Sequence, residues 1–494
     1  MQLEAYFQQF RSKVIGNSLK FKTQFGEKEL IYADWTASGR LYQDIEDYIV
    51  NELGPFVANT HTEANVTGTT MTKLYKQSLQ YIKQHVNANS SDVIITDGSG
   101  MTSVVNKLQR ILGLKVPEKF ANQLSIKEED RPVIFITHME HHSNQLSWQE
   151  TIGEVVCIPP TENGLVNLEE LKVQLKKYEK RKVKIGSFTA CSNVTGITTP
   201  YHQLAKIMHE HGGICFVDFA ASAPYVDINM HPEDSLEKLD GIYFSPHKFL
   251  GGPGTSGVLI FDSALYSNQS PDHPGGGTVH WTNPWGGKGY IDDIETRENS
   301  GTPGFLQTIK TALAIMLKEE MGINNILQRE KEILSFLFEK LLEIPKLHIL
   351  AENNKDRLGI ISFYIEDIHY NLVVRLLNDR YGIQVRGGCS CAGTYGHYLL
   401  HISEETSKSI TDKIDRGDLA EKPGWVRLSI HPVMTTDEVN KIVLALKEIV
   451  DNIDEYQQDY TFDILKSDYL NKRQPNDTQI TTHELLKFKK YLNM

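Results

Sequence analysis

Cysteine is scarce in this sequence, with five in 494 residues: Cys157, Cys191, Cys215, Cys389 and Cys391. A sparse, odd-numbered set does not make a disulfide framework. The Cys389-Ser-Cys391 pair has no second pair spaced for structural zinc, so no metal site is expected. Sparse cysteine points to a reducing, cytoplasmic compartment. Long apolar runs are missing too; none reaches the roughly 18 residues of a membrane-crossing helix. The opening MQLEAYFQQFRSK lacks the basic–apolar–small order of a secretion signal. Positive charge is not in surplus: 51 Lys and Arg stand against 63 Asp and Glu, for a net charge of −12. That argues against nucleic acid and against an anionic membrane surface as partners. Internal repeats and low-complexity blocks are absent. What is present is an ordinary globular composition, 40% hydrophobic and 23% charged, over a length comfortable for two domains.

Between residues 90 and 262, short apolar runs alternate with helical patterns. The runs are Val93–Thr96, Val133–Thr137, Val155–Ile158, Ile185–Thr189, Ile214–Asp218, Gly241–Phe244 and Val258–Phe261. They are almost continuously apolar, as strands covered on both faces must be. The stretch His202–His211 carries Leu204, Ile207 and Met208 on one helical face and stops at Gly212-Gly213. Strand–helix alternation implies an α/β fold: a large domain with a mostly parallel seven-stranded sheet flanked by helices. Residues 271–304, rich in Gly and Pro, read as a long loop. Helices follow at 305–320 and 324–343. A smaller C-terminal α/β unit then comprises strand Ile360–Ile365, helix Asn371–Tyr381, strand Trp425–Ile430 and a helix over 436–451, opened by a Thr435/Glu438 capping box. Segment 392–424 reads as an irregular polar excursion. The expected division is an N-terminal segment 1–30 packing on the small domain, a large domain 31–304, a small domain 305–455 and a tail 456–494 with no assigned role.

Ligands of α/β sheets bind beyond the carboxyl ends of the strands. Gly98-Ser99-Gly100, His141, Asn193, Asp218 and Ser245-Pro246-His247-Lys248 all follow apolar runs, so a parallel sheet would gather them at one edge. Asp218 ends a buried strand; it is either a helix cap or cation partner, or the counter-charge of a protonated ring nitrogen. Lys248 either snorkels to the surface or, desolvated, forms a Schiff base with an aldehyde. The Gly-rich Phe249–Gly257 turn after it would admit a bulky ligand against the backbone. Gly100-Met101-Thr102 opens a helical pattern, and a helix start is an anion site.

Taken together, these segments resemble the class V aminotransferase family, and within it the cysteine desulfurase/selenocysteine lyase group. The resemblance runs from about Tyr32 to about residue 450. It is carried by Tyr32-Ala-Asp-Trp-Thr-Ala-Ser38, Ser99-Gly-Met-Thr102, Met139-Glu-His-His-Ser-Asn144, Ser192-Asn-Val-Thr-Gly196, Ser245-Pro-His-Lys248 and Ser300-Gly-Thr-Pro303. It implies a fold type I transferase dependent on pyridoxal 5′-phosphate (PLP), with 31–304 as the PLP-binding domain. Lys248 would be the Schiff-base lysine and move protons at Cα. Asp218 would face the ring nitrogen, His141 would stack on the ring, and Asn193 would hydrogen-bond the phenolic oxygen. Met101, Thr102, Ser245 and His247 would hold the phosphate. Thr302 would reach the phosphate of a neighbouring subunit, which implies a homodimer. Two positions depart from the family pattern: Ala221 stands where a Gln commonly touches the phenolic oxygen, and Ser103 where the phosphate turn often has Glu.

Val385-Arg-Gly-Gly-Cys-Ser-Cys-Ala-Gly393 bears on the reaction. The resemblance aligns Cys391 with the sulfur-accepting cysteine of the desulfurases and Cys389 with a position often occupied by His. Arg386 stands near this thiol. Arg427, in Trp425-Val-Arg-Leu-Ser429, would grip the substrate carboxylate in two-point fashion. His61 is a further candidate lining residue. The implied substrate is a small amino acid, L-cysteine or selenocysteine, which is converted to alanine as its sulfur passes to Cys391 and on to an acceptor protein. Cys389 would receive the sulfur next or pair with Cys391. The alternatives are a class V transaminase or another PLP-dependent lyase, a molybdenum-cofactor sulfurase, for which the tail is too short, and a non-enzymatic scaffold, in which the lysine site would have decayed.

Overall fold

The computed structural model describes residues 3–121 and 123–473. Its central sheet has seven strands: β1 (Asp92–Asp97), β2 (Val133–Thr137), β3 (Glu154–Ile158), β4 (Lys184–Thr189), β5 (Ile214–Asp218), β6 (Gly241–Phe244) and β7 (Gly257–Asp262). They lie in the order β1-β7-β6-β5-β4-β2-β3. Strand β7 is antiparallel to both neighbours, and the other pairs are parallel. The carboxyl ends of the other six strands therefore share one edge.

Alternate residues of each strand enter different cores. Val93, Ile95, Ile134, Ile136 and Phe216 pack with Val104, Val105, Leu108 and Trp148 on one face. Ile94, Val133, Phe135, Cys215 and Val217 pack with Leu79, Leu171, Leu175, Leu204 and Met208 on the other. Both faces are covered, which is why the strands read as unbroken apolar runs rather than alternating ones.

A second, four-stranded antiparallel sheet comprises β8 (Leu347–Ile349), β9 (Ile360–Ile365), β10 (Arg386–Gly388) and β11 (Trp425–Ser429), in the order β8-β9-β11-β10. Helices Ile323–Leu342 and Thr436–Asp451 share one core with Phe363 and Leu428 of this sheet. Both groups of the Thr435/Glu438 capping box are in place. The N-terminal helix Glu4–Arg11 puts Phe7 and Phe10 into the same core, and Arg11 pairs with Glu438 at 2.7 Å. Ile31–Tyr32 pairs in parallel with Ile383–Gln384, far along the chain.

Three segments differ from the sequence expectation. Within 271–304 the chain forms a hairpin, Val279–Thr282 with Lys288–Tyr290, and a short helix, Ile294–Arg297. Its Trp281 and Trp285 are 53% and 88% exposed, so no buried alternation marked the strands. The supposed excursion 392–424 contains helices Gly393–Leu399 and Glu404–Asp415; the second buries no residue and so has no buried apolar stripe to read. The helix expected over Asn371–Tyr381 is α-helical over Tyr370–Leu376 and continues as a π-helical turn, Leu377–Tyr381, closed by Gly382 at φ +76°. Part of the tail forms a hairpin, Tyr460–Asp463 with Asp468–Asn471; positions 474–494 lie outside the described residues. No helix among the described residues is long and apolar enough to cross a membrane.

Candidate active site

The strand ends converge on one cavity of about 480 Å³. It is lined by Met101 and Thr102 after β1, His141 after β2, Asn193 after β4, Asp218 ending β5, and Ser245, His247 and Lys248 after β6. The facing wall supplies Arg386, Cys389, Ser390, Cys391 and Arg427. Thus twelve of the fourteen residues given roles in the sequence meet here, with Ser390 beside them.

The other two, Thr302 and His61, do not. Thr302 is exposed and its hydroxyl donates to Asn59 Oδ1 at 3.4 Å, outside the cavity. His61 borders a separate cavity with Tyr75, Glu295 and Asn299, because the 59–61 segment lies against the Gly277 turn rather than the sheet edge.

Lys248 sits in a one-turn 3₁₀ helix, Pro246–Lys248. Burial lowers its amine to about 8, helped by the guanidinium groups of Arg427 and Arg386 and opposed by Asp218. Asp218 is 3% exposed. Burial raises its carboxyl to about 6, against the Ala220 N–H bonded to Oδ1 at 2.8 Å and the charge of Lys248. A buried acid and a buried amine, each shifted toward neutrality, are a functional signature. His141 caps helix α2 (His142–Gln149): its Nδ1 accepts from Ser143 N at 3.0 Å. Burial, with Lys248 nearby, holds this imidazole down at about 3, so a flat neutral ring faces the cavity.

Helix α1 (Met101–Ile111) begins at Gly100 without a side-chain cap. Met101 N donates to Ser245 Oγ at 2.8 Å, and the Thr102 and Ser143 hydroxyls lie 2.7 Å apart. A Cβ on Gly100 would stand 3.0 Å from Ser245 Oγ and 3.7 Å from the His247 ring. This is a hydroxyl-lined cradle at a helix start, the donor set that a phosphate requires. Asn193 Oδ1 is buried with no partner among the described residues, while its Nδ2 donates to Ser390 O at 2.7 Å. Lysine, buried acid, flat imidazole and phosphate cradle together fit PLP.

Arg427 is 3% exposed. Its Nη2 donates to Asp34 Oδ1 at 2.9 Å and its Nη1 to Asn193 O at 3.2 Å. Each of these nitrogens has a second N–H for a substrate carboxylate. Arg386 donates to Asp34 Oδ2 through Nη2 at 2.9 Å and Nε at 3.1 Å. Asp34 lies inside the Tyr32–Ser38 motif, which assigns it no role. Its signal was present: a carboxylate directly after an apolar strand, as at Asp218. Ala221, where the family often has Gln, is buried against the cavity and offers no hydrogen bond. Cys391 is exposed, Cys389 is partly buried, and both thiols are free.

The aminotransferase class-V family profile matches residues 31–442 of the chain. A probable cysteine desulfurase of Staphylococcus epidermidis is 31% identical over 425 residues, covering 85% of this chain and 92% of that protein. A probable cysteine desulfurase of Staphylococcus aureus is 28% identical over the same length and coverage. Among solved structures, the apo cysteine desulfurase of Thermococcus onnurineus NA1 superposes with a TM-score of 0.72 at 22% identity, covering 90% of this chain and 98% of that one. The cysteine desulfurase CsdA of Escherichia coli superposes with a TM-score of 0.68 at 21% identity and the same coverage. These likenesses show the fold.

Proposed function

Because the chain belongs to the aminotransferase class V family of PLP-dependent enzymes, we propose that it is a cysteine desulfurase, releasing alanine from L-cysteine or selenocysteine and taking the sulfur or selenium onto Cys391. The observation that carries this reading is the exposed Cys391 thiol in the wall of the same cavity as Lys248, Asp218 and Arg427.

When bound, PLP supplies an electron sink for the pair released at the substrate's Cα. Lys248 is the residue to hold it, and afterwards the base for the Cα proton. An amine brought down to about 8 by burial carries a far larger neutral fraction near physiological pH than an ordinary lysine at 10.5, and the neutral form is the one that acts as a base. Asp218 would face the ring nitrogen, and that cation would offset the burial that otherwise pushes its carboxyl up. His141 would stack on the ring. Met101 N–H, Thr102, Ser245 and His247 would hold the phosphate, and Asn193 the phenolic oxygen. Arg427 would orient the substrate carboxylate, with Arg386 beside it. The thiolate of Cys391 forms a bond to the substrate sulfur as the Cβ–S bond breaks, leaving a persulfide on the enzyme. Cys389 stands next in line for the sulfur: Cys389→Ser should keep alanine formation and slow hand-off to an acceptor.

The reading includes a homodimer in which Thr302 serves the neighbouring site, supported by its exposure outside the cavity of its own chain. It also includes a reducing, cytoplasmic setting, in which the free thiols persist. The decisive assay incubates purified holoenzyme with L-cysteine and a dithiol reductant, which cleaves the persulfide to sulfide, and scores alanine, sulfide and keto acid separately. A desulfurase yields alanine and sulfide, and Cys391→Ala abolishes both. Keto acid as the main product, with turnover intact in Cys391→Ala, would establish a transaminase instead.

A further inference from the structure

We propose that His142 is a positioning residue for the sulfur-accepting thiol: it fastens the Cys389–Ala392 turn to the cofactor side of the cavity. This rests on the reading of Cys391 as acceptor. The turn is closed by Ala392 N donating to Cys389 O at 3.0 Å. Its two central residues, Ser390 and Cys391, have φ of +51° and +55°, though neither is glycine. Residues with side chains hold that left-handed conformation only where their surroundings impose it. Here the surroundings are chiefly one end of one helix, with one further bond from Asn193. His142, the first residue of α2, donates its backbone N–H to Cys391 O at 2.7 Å. Its ring Nε2 accepts from Gly393 N at 2.9 Å. One turn further on, Gln145 Oε1 accepts from the Thr394 hydroxyl at 2.9 Å. From β4, Asn193 Nδ2 holds the Ser390 carbonyl at 2.7 Å.

The pair of adjacent histidines thus divides its work. His141 presents its ring to the cavity floor, and His142 grips the turn that carries the thiol. The spacing between the two sites is set by a single peptide link. The grip requires a neutral imidazole with an acceptor Nε2. Burial and the neighbouring Lys422 both favour the neutral form, keeping this ring below the ordinary histidine range.

The test uses the PLP-loaded full chain with His142→Leu, His142→Gln and Gly393→Pro. Leucine removes the acceptor, whereas glutamine restores one through Oε1. Proline at Gly393 deletes the donor from the other side, at the first position of helix Gly393–Leu399, where proline is tolerated. Displacing a reacting atom by about an ångström costs on the order of a hundredfold. His142→Leu and Gly393→Pro should therefore lower kcat for alanine formation about ten- to a hundredfold, with KM and cofactor absorbance near wild type. Iodoacetamide should label Cys391 faster in both, scored by peptide mass, and His142→Gln should return both readouts toward wild type. Wild-type kcat and labelling in His142→Leu would overturn the proposal. So would a glutamine variant as impaired as leucine, or losses that track cofactor content. Labelling needs no turnover, so it reports on the turn even if Cys391→Ala shows that the sulfur goes elsewhere.

Discussion

The cavity wall that carries Lys248 is assembled from strand ends of the central sheet, and its ionisable groups are withdrawn from water: Asp218 up to about 6, Lys248 down to about 8, His141 down to about 3. The wall opposite, Arg386 to Ala392, projects from an edge strand of the small sheet and ends in an exposed thiol on a left-handed turn. One wall is made reactive by burial. The other is kept in shape by hydrogen bonds from across the cavity. The contrast suits a reaction in which a proton is moved in a dry interior while sulfur is passed to a group that an acceptor must reach.

The largest expected effect breaks the buried wall. On the proposed reading Lys248→Ala would remove both the attachment point and the base, and general-base loss alone is worth about 10²- to 10⁴-fold in kcat. Borohydride treatment should then leave peptide 240–256 without pyridoxyl, whereas the wild-type peptide is labelled. Labelling that persists in the variant would mean that another amine holds the cofactor.

Next comes the carboxylate that ties the walls together. Asp34 pairs with buried Arg427 and half-exposed Arg386. Asp34→Asn leaves Arg427 buried without a counter-charge, which costs on the order of 3–5 kcal/mol. Urea unfolding should register that loss, and KM for the amino acid should rise as Arg427 loses its orientation. Unchanged stability would show that the Arg386–Arg427 pair tolerates its own repulsion.

A gentler probe is pH. Lys248 would hold the cofactor through its neutral amine, so loading of the apo chain should speed up as pH rises. Because burial brings Lys248 down to about 8, the rise should centre there and not near the ordinary lysine value of 10.5. Stopped-flow absorbance follows it directly. A midpoint above 10 would indicate that water reaches the amine.

The two walls also differ in how readably the sequence encodes them. All seven central strands were legible because each is largely apolar, and the residues at or after the ends of five of them announced the site. The small-sheet wall was legible only as a motif, Arg386 to Gly393. Its supports were not: Asp34 lies 393 positions from Arg427, and no local period links them. His142 looked like half of a motif until Cys391 O and Gly393 N were found against it. Helix Glu404–Asp415 buries no residue fully and has only Ile410 and Ile414 as an apolar stripe, and strand Val279–Thr282 is mostly exposed, so neither carries a strong periodic signal.

The smallest effect asks whether the turn is strained by its own residues or merely held. Ser390→Gly replaces a left-handed residue that costs about 1–2 kcal/mol with one that adopts the conformation freely. Glycine gives back about 0.5–1 kcal/mol in unfolded-chain entropy. The serine hydroxyl is buried with no partner among the described residues, so deleting it removes a further small penalty. The net gain should be on the order of 1 kcal/mol, seen as a slightly higher urea midpoint. Sulfur transfer should fall a little as the turn loosens, so stability and activity move in opposite directions. If stability falls instead, the left-handed turn is the intrinsic preference of this segment, and the bonds from His142 and Asn193 only follow it.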